Sequence, residues 1–271
     1  MVVKVPNVYF PAMGCTMLIR TISLILAMLL LLVVAMSCDS DRCVQPVPCC
    51  NVCDEDRTEA ELAAIWLSGE LVAPDSLYRR LLWGFTTMRE KYGQHIAEVA
   101  IRFQFPVRPS VIDVKLTDSA AQQFLDGSYT EWDSLNNRFG LRHLDTGVCC
   151  FEHFHYVRLM FGGLQHPNVI AGEYRELEGI QNSGSSEHAE GDWSNMYPWI
   201  ANGKLTFLLR SAWGDCPAGC MYSRFWYFVE EQDGLILVGK WEDVDIQSPP
   251  PPAWWDEASV AFHTYLYRTW P

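Results

Sequence analysis

VIDVKL (residues 111–116), TEWDSLNNRFG (130–140), LRHL (141–144), FHYVRLMF (154–161), NVIAGEYRELEG (168–179) and IQNS (180–183) are the six pieces from which the fold is read. The first and fourth are short and rich in branched or aromatic residues, as strands are, and the third and sixth are read as further short strands. Thr130-Glu131-Trp132-Asp133 reads as a helix start, Leu135 and Phe139 continue the apolar stripe, and Gly140 ends it. Asn168 is placed to cap a second helix carrying Val169, Tyr174 and Leu177, with Gly179 as its stop. Strand, helix, strand, strand, helix, strand is the split βαβ order of ferredoxin-like units.

Upstream of this unit, residues 38–56 (CDSDRCVQPVPCCNVCDED) are polar, cysteine-dense and without period, and read as a tether. Residues 58–67 predict a short helix. Asp75 can cap a longer one, with Leu77, Leu81, Leu82, Phe85 and Met88 on its stripe and Gly93 at its end. Val99, Ile101 and Phe103 alternate with polar or small neighbours and predict a strand. Downstream, residues 205–213, 221–230 and 235–241 predict a three-stranded antiparallel meander, with Asp233-Gly234 as a hairpin turn. Residues 249–252 are four prolines that stiffen the chain, and the tail WWDEASVAFHTYLYRTWP reads as one further strand. The expected class is therefore α+β. It divides into a leader (1–37), a Cys-rich tether (38–56), a helical segment with a first strand (57–110), the ferredoxin-like unit (111–190) and an aromatic-rich antiparallel β region (191–271).

The leader sets the compartment. Arg20 precedes an uncharged apolar run at residues 22–36, followed by small Ser37 and Cys38. A cation, an apolar stretch shorter than the roughly 20 residues needed to span hydrocarbon, and a small residue at the cut are the parts of an export signal. Residues 1–16 add nothing to it, and translation from Met17 is the expected start. Ala35-Met36-Ser37-Cys38 resembles the lipobox of bacterial lipoproteins, with Ala35 where that family usually has a larger branched residue. The resemblance implies a diacylglycerol thioether on Cys38, which becomes the mature N-terminus, and a location in the envelope facing periplasm or exterior.

Charge and cysteines agree with export. Loss of Lys4 and Arg20 with the leader moves the net charge from −13 to −15, so phosphate backbones are repelled and nucleic acid is disfavoured as a partner. Apart from Cys15 and Cys38, the cysteines are Cys43, Cys49, Cys50, Cys53, Cys149, Cys150, Cys216 and Cys220. An even number in an oxidising compartment points to disulfides, and Cys216–Cys220 in WGDCPAGC is the best-defined pair. Cys50-x-x-Cys53 has zinc-knuckle spacing but no second CxxC to complete a site.

Two further resemblances follow from quoted segments. His155 with HPNVIAGEYRELEGIQNSGSSE (166–187) looks like the end of a subtilisin-type propeptide, the inhibitor I9-like module. That implies a stand-alone inhibitor-like or peptide-binding unit, since no subtilisin-like catalytic domain follows. GDCPAGCMYSRFWYFVEEQDG (214–234) resembles segments of exported bacterial proteins and implies no activity.

Candidate chemistry is sparse. His153 and His155 share one face of a strand near Cys149, Cys150 and Glu152, and stand as metal-ligand candidates without a third ligand fixed by spacing. Asp215 beside Cys216 suggests a nucleophile site only if Cys220 does not take the sulfur. Glu230-Glu231 and Asp256-Glu257 read as solvated charges on strands. Among the many aromatics of the last third, Trp213, Trp226 and Trp241 are candidates for stacking on sugars, with core packing as the alternative. No nucleophile–base pattern, phosphate loop or cofactor motif is present, so no catalytic residue and no cofactor is assigned. The expected function is a non-enzymatic, membrane-anchored module that binds a peptide or protein. Glycan binding is the second expectation, and a hydrolase using His153, His155 or Asp215 the third.

Overall fold

A computed structural model describes residues 54–146, 156–187, 193–216, 219–244 and 248–267. Among the described residues the chain forms six α-helices and two four-stranded antiparallel sheets, an α+β architecture.

Helices α1 (Asp54–Ser68) and α2 (Asp75–Tyr92) come first. On α2, Leu81, Gly84, Phe85 and Met88 recur at helical spacing and are buried. Strand β1 (Val107–Leu116), helices α3 (Asp118–Leu125) and α4 (Asp133–Phe139), strands β2 (Leu141–Asp145) and β3 (Tyr156–Phe161), helix α5 (Pro167–Arg175) and strand β4 (Ile180–Glu187) form the middle of the chain. Their sheet runs β2-β3-β1-β4, with every neighbouring pair antiparallel. Ile112, Val114 and Leu116 on β1 and Val157, Leu159 and Phe161 on β3 alternate onto one face. There they meet Ala120, Trp132, Phe139, Ile170 and Tyr174 from the three helices. The opposite face is half-exposed and polar, with an Asp113–Arg158 ion pair of 2.7 Å.

Strands β5 (Asn195–Ala201), β6 (Lys204–Trp213), β7 (Tyr222–Glu231) and β8 (Gly234–Asp243) make the second sheet as a simple meander. Helix α6 (Trp255–Tyr267) closes the described chain. One face of this sheet (Met196, Leu205, Phe207, Leu209, Phe228, Leu235) packs on α1 and α2. The other (Tyr197, Leu208, Phe225, Tyr227) packs on Ala258, Ala261 and Phe262 of α6. The helical segment and the aromatic meander, far apart in sequence, thus share one core. Gly84 allows the contact: a Cβ there would stand 2.6 Å from Phe207 Cζ and 2.9 Å from Leu205 Cδ2.

Charges, too, are buried in this joint. The Glu59 carboxylate is almost fully buried, and it accepts from Arg89 at 2.7 Å, from Arg102 at 3.0 Å and from the Phe103 N–H at 2.7 Å. Asp56 takes the same two arginines, at 2.8 Å and 2.7 Å. Burial pushes Glu59 above the usual carboxylate range, and Arg89, the Phe103 amide and Arg102 pull it back only in part.

Three expectations are corrected. The strand expected around residues 99–103 is a 3₁₀ turn (Ala97–Ala100) followed by irregular chain. Phe103 and Phe105 do alternate inward, but the main chain there bonds to side chains: Phe103 to Glu59, and Gln104 to Asn195 at 2.8 Å. The tail expected to be a strand is α6, because Ala258, Ala261, Phe262 and Tyr265 lie at helical spacing and cover the sheet. The meander has a fourth strand, β5, which leads into β6 through Asn202-Gly203, whose φ values of 52° and 79° make the left-handed hairpin turn. Smaller shifts follow the same logic. His166, not Asn168, caps α5, accepting the Asn168 N–H on Nδ1 at 3.2 Å, and Gly179 (φ 83°) turns the chain into β4 after the helix has ended.

Arg89→Leu leaves Arg102 as the one cation of this cluster on two buried carboxylates and is expected to lower stability by about 3 kcal/mol. The check is the urea midpoint at neutral pH, where adding Glu59→Gln to Arg89→Leu should recover part of the loss.

Candidate functional site

On the α6 side of the second sheet, beyond the first turn of that helix, the Asn202-Gly203 hairpin, β7, β8 and the start of α6 surround a cleft of about 320 Å³. Its lining is Ala201, Asn202 and Lys204 from the hairpin, Tyr227, Val229 and Glu231 from β7, Val238 from β8, and Trp254 and Glu257. Local sequence explains the shape. Val238 is the extra residue of a β-bulge, since Tyr227 pairs with Gly239 but Phe228 with Leu237. Gly239 beside it leaves room for an indole: a Cβ there would stand 2.4 Å from Trp254 Nε1. Trp254 in turn stacks on Tyr227, with centroids 5.5 Å apart and planes 19° from parallel.

The Tyr227 hydroxyl is the unusual atom of the cleft. Tyr227 is only 2% exposed, and its oxygen completes no hydrogen bond among the described residues. Glu257 and Thr206 lie near it, yet neither is placed for a bond of normal length and angle. Burial first, and then the Glu257 carboxylate, push this phenol above its ordinary range, so it stays a neutral O–H. A buried polar atom left without a partner is costly, and such exceptions are few.

The charges around it are unequal. Lys204 pairs with Glu231 at 2.7 Å. Behind the hairpin, Glu230 pairs with Arg80 and accepts the Leu205 N–H at 2.8 Å, while Arg80 also donates to the Gly203 carbonyl at 2.6 Å. Glu230 is therefore a tie between α2 and the hairpin, not a solvated charge, and Asp256 and Glu257 lie in the first turn of a helix, not on a strand. Glu257 has no cationic partner among the described residues. The cleft thus offers a phenol, one unpaired carboxylate, one ion pair, a stacked indole and two valines. These groups can bind and orient a ligand.

The other candidate residues lie elsewhere. Cys216 and Cys220 are joined in a disulfide, which removes the sulfur from nucleophilic chemistry and leaves Asp215 exposed beside it. Trp213, Trp226 and Trp241 do not form one stacking platform. Trp226 is buried on the α1–α2 side, where Arg224 lies 5.9 Å and Lys240 5.8 Å from its ring. Trp213 is partly exposed on that side with Arg224 at 5.7 Å, whereas Trp241 faces α6 and packs on Phe225 and Trp255. Cys38, Cys43, Cys49, Cys50, Cys53, Cys149, Cys150, His153 and His155 lie outside the described residues. Among the described residues no group of three or more His, Cys, Asp or Glu is placed to hold a metal, and no helix is long and apolar enough to cross a membrane. Sequence reading missed the cleft residues Tyr227, Trp254 and Glu257. The Asn202-Gly203 hairpin signal and the helical spacing after Trp254 were the clues that locate them.

Comparison with family models, with characterised proteins and with solved structures gives no match to this chain.

Burial opposes ionisation of Glu230, but the Arg80 hydrogen bond, the Leu205 N–H and the Arg80 charge together hold its carboxyl below the ordinary value. A depressed folded-state pKa means that this stabilisation is present above the usual carboxylate range and is lost as pH falls through the folded value. The stability difference between wild type and Glu230→Gln is therefore expected to be largest near neutral pH and to shrink toward acid. Urea unfolding across that range measures it.

Proposed function

We propose that this protein is an exported bacterial lipoprotein, anchored by lipid on Cys38, that binds a peptide or protein partner without chemistry of its own. The observation that carries the binding role is the cleft under Trp254, with a buried Tyr227 hydroxyl that completes no hydrogen bond of normal geometry among the described residues. A groove serves this role better than strand addition, because three of the four outer strands, β4, β5 and β8, carry protection against pairing. The Tyr92 hydroxyl accepts the Leu237 N–H at 3.0 Å and donates to the Leu235 carbonyl at 3.1 Å, and Lys91 adds a bond to the same carbonyl, so β8 is partly capped. Pro198 removes a donor from β5. On β4, the Ser183 N–H goes to Asn182 at 2.8 Å and its carbonyl to Arg175 at 2.9 Å.

We read residues 107–187 as a ferredoxin-like unit, on the strand order β2-β3-β1-β4 with two helix-bearing crossovers. This order fits the resemblance to inhibitor-like propeptide modules, and a peptidase-inhibitor-like role is one form of the proposed binding. The lipid anchor rests on the leader sequence alone.

Two measurements test the proposal. Intact mass of the membrane-extracted protein is expected to show a lipid adduct on Cys38 and eight further thiols released only by reductant. An uncleaved leader or free thiols would overturn the anchored, exported reading. Hydrogen exchange with a library of unstructured peptides is expected to show protection at residues 201–204 and in the first turn of α6. Protection confined to β4 or β8 would replace the groove by strand addition.

A further inference from the structure

We infer that the cleft under Trp254 is a specificity pocket for a primary ammonium group on an aliphatic stem, such as the lysine side chain of a bound peptide. The inference rests on the groove-binding reading above and names its ligand.

Charge balance comes first. Lys204 is neutralised by Glu231, so the cleft is left with the charge of Glu257, which has no cationic partner among the described residues. The chain as a whole is acidic, with a net charge of −13, so its field draws cations toward such a site and repels anions. Hydrogen bonding comes second. Tyr227 lines the cleft, and its buried oxygen has open acceptor capacity. An ammonium carries three donors and no acceptor, so it can serve the Glu257 carboxylate and the Tyr227 oxygen at once. A guanidinium presents a planar fork, and its usual bidentate partner would be a carboxylate without a competing phenol beside it.

Apolar contact comes third. The Trp254 indole is electron-rich on its face and attracts a cation within about 6 Å of the ring centre. Val229 and Val238 line the same cleft and offer contact to the methylenes of a lysine stem, which buries its chain while its head stays polar. Size agrees: about 320 Å³ lies at the lower end of ligand pockets, enough for one side chain.

The test uses the full mature protein with Nα-acetyl-lysine N-methylamide as probe, its neutral analogue Nα-acetyl-norleucine N-methylamide, and glucose. The readout is the NMR shift of the Trp254 indole N–H, assigned by Trp254→Phe. The lysine probe is expected to move this signal saturably, and the norleucine probe to bind about tenfold more weakly or not at all. Glu257→Gln is expected to weaken the lysine probe by a similar factor while leaving the folded spectrum intact. Tyr227→Phe, which keeps the stacked ring, is expected to weaken it as well. Equal binding of lysine and norleucine probes, or unchanged binding by Glu257→Gln, would overturn the inference, as would a response to glucose alone. If peptides protect the hairpin and α6 with no preference for lysine, the groove reading stands and the ammonium pocket falls. If the lysine probe binds but no peptide protects these segments, the pocket stands and peptide binding falls.

Discussion

The Glu59 carboxylate is withdrawn from water, and the arrangement of three chain segments answers to that one fact. Its compensation comes from Arg89 on α2, from Arg102 and from the Phe103 amide in the loop that follows. A buried charge is tolerated only when its lone pairs are all engaged, so α1, α2 and residues 97–104 are fixed together or not at all. The same arginines hold Asp56, and Arg89 also donates to the Val99 carbonyl at 3.2 Å. The helix pair that these charges hold together packs on the second sheet. Gly84 over Phe207 and the Phe85–Phe207 ring pair at 5.1 Å then fill the contact.

With α1 and α2 committed to one face of the second sheet, its other face needs a cover of its own. Helix α6 supplies it through Ala258, Ala261, Phe262 and Tyr265, whose small residues let the helix lie close to Tyr197 and Phe225. The cover is shorter than the sheet is long. Past its first turn, β7 and β8 continue toward the Asp233-Gly234 turn, and Val229, Ile236 and Val238 stay partly or largely exposed. The cleft is this uncovered end, roofed by Trp254 where the proline run turns into the helix. Its position follows from the mismatch in length, and its chemistry from Tyr227 and Glu257.

Several elements were legible because neighbours in the chain decide them. The stripe of α2, the alternation of β1 and β3 and the Asp233-Gly234 turn follow from local period and turn chemistry, whereas the short helix α3 between β1 and α4 was not expected. The tail misled because Trp, Phe and Tyr favour strands by propensity, yet their spacing after Trp254 is that of a helix with one buried stripe. Residues 99–105 misled for the opposite reason. Their alternation is real, but Glu59 and Asn195 take the amide bonds that a partner strand would have taken. The tryptophans misled because indoles on a sheet look alike in sequence, whereas Trp226 and Trp241 point to opposite faces.

By itself the sequence determined the α+β class, the long α2 stripe, several strands and turns, the acidic balance and the Cys216–Cys220 loop, while the export signal is a reading of the leader on which the anchoring proposal stands. Each depends on residues within a turn or two of one another, or on composition, and so survives without knowledge of the fold. Only the tertiary structure decided that the first helices pack on the last sheet, that Glu59 is buried with two arginines, and that the buried Tyr227 hydroxyl lies near Glu257 with no hydrogen bond of normal geometry among the described residues. These depend on contacts across large sequence separations, such as Arg80 with Glu230 and Tyr92 with Leu235. The burial of a polar atom is set by what arrives from elsewhere in the chain, and no local pattern records it.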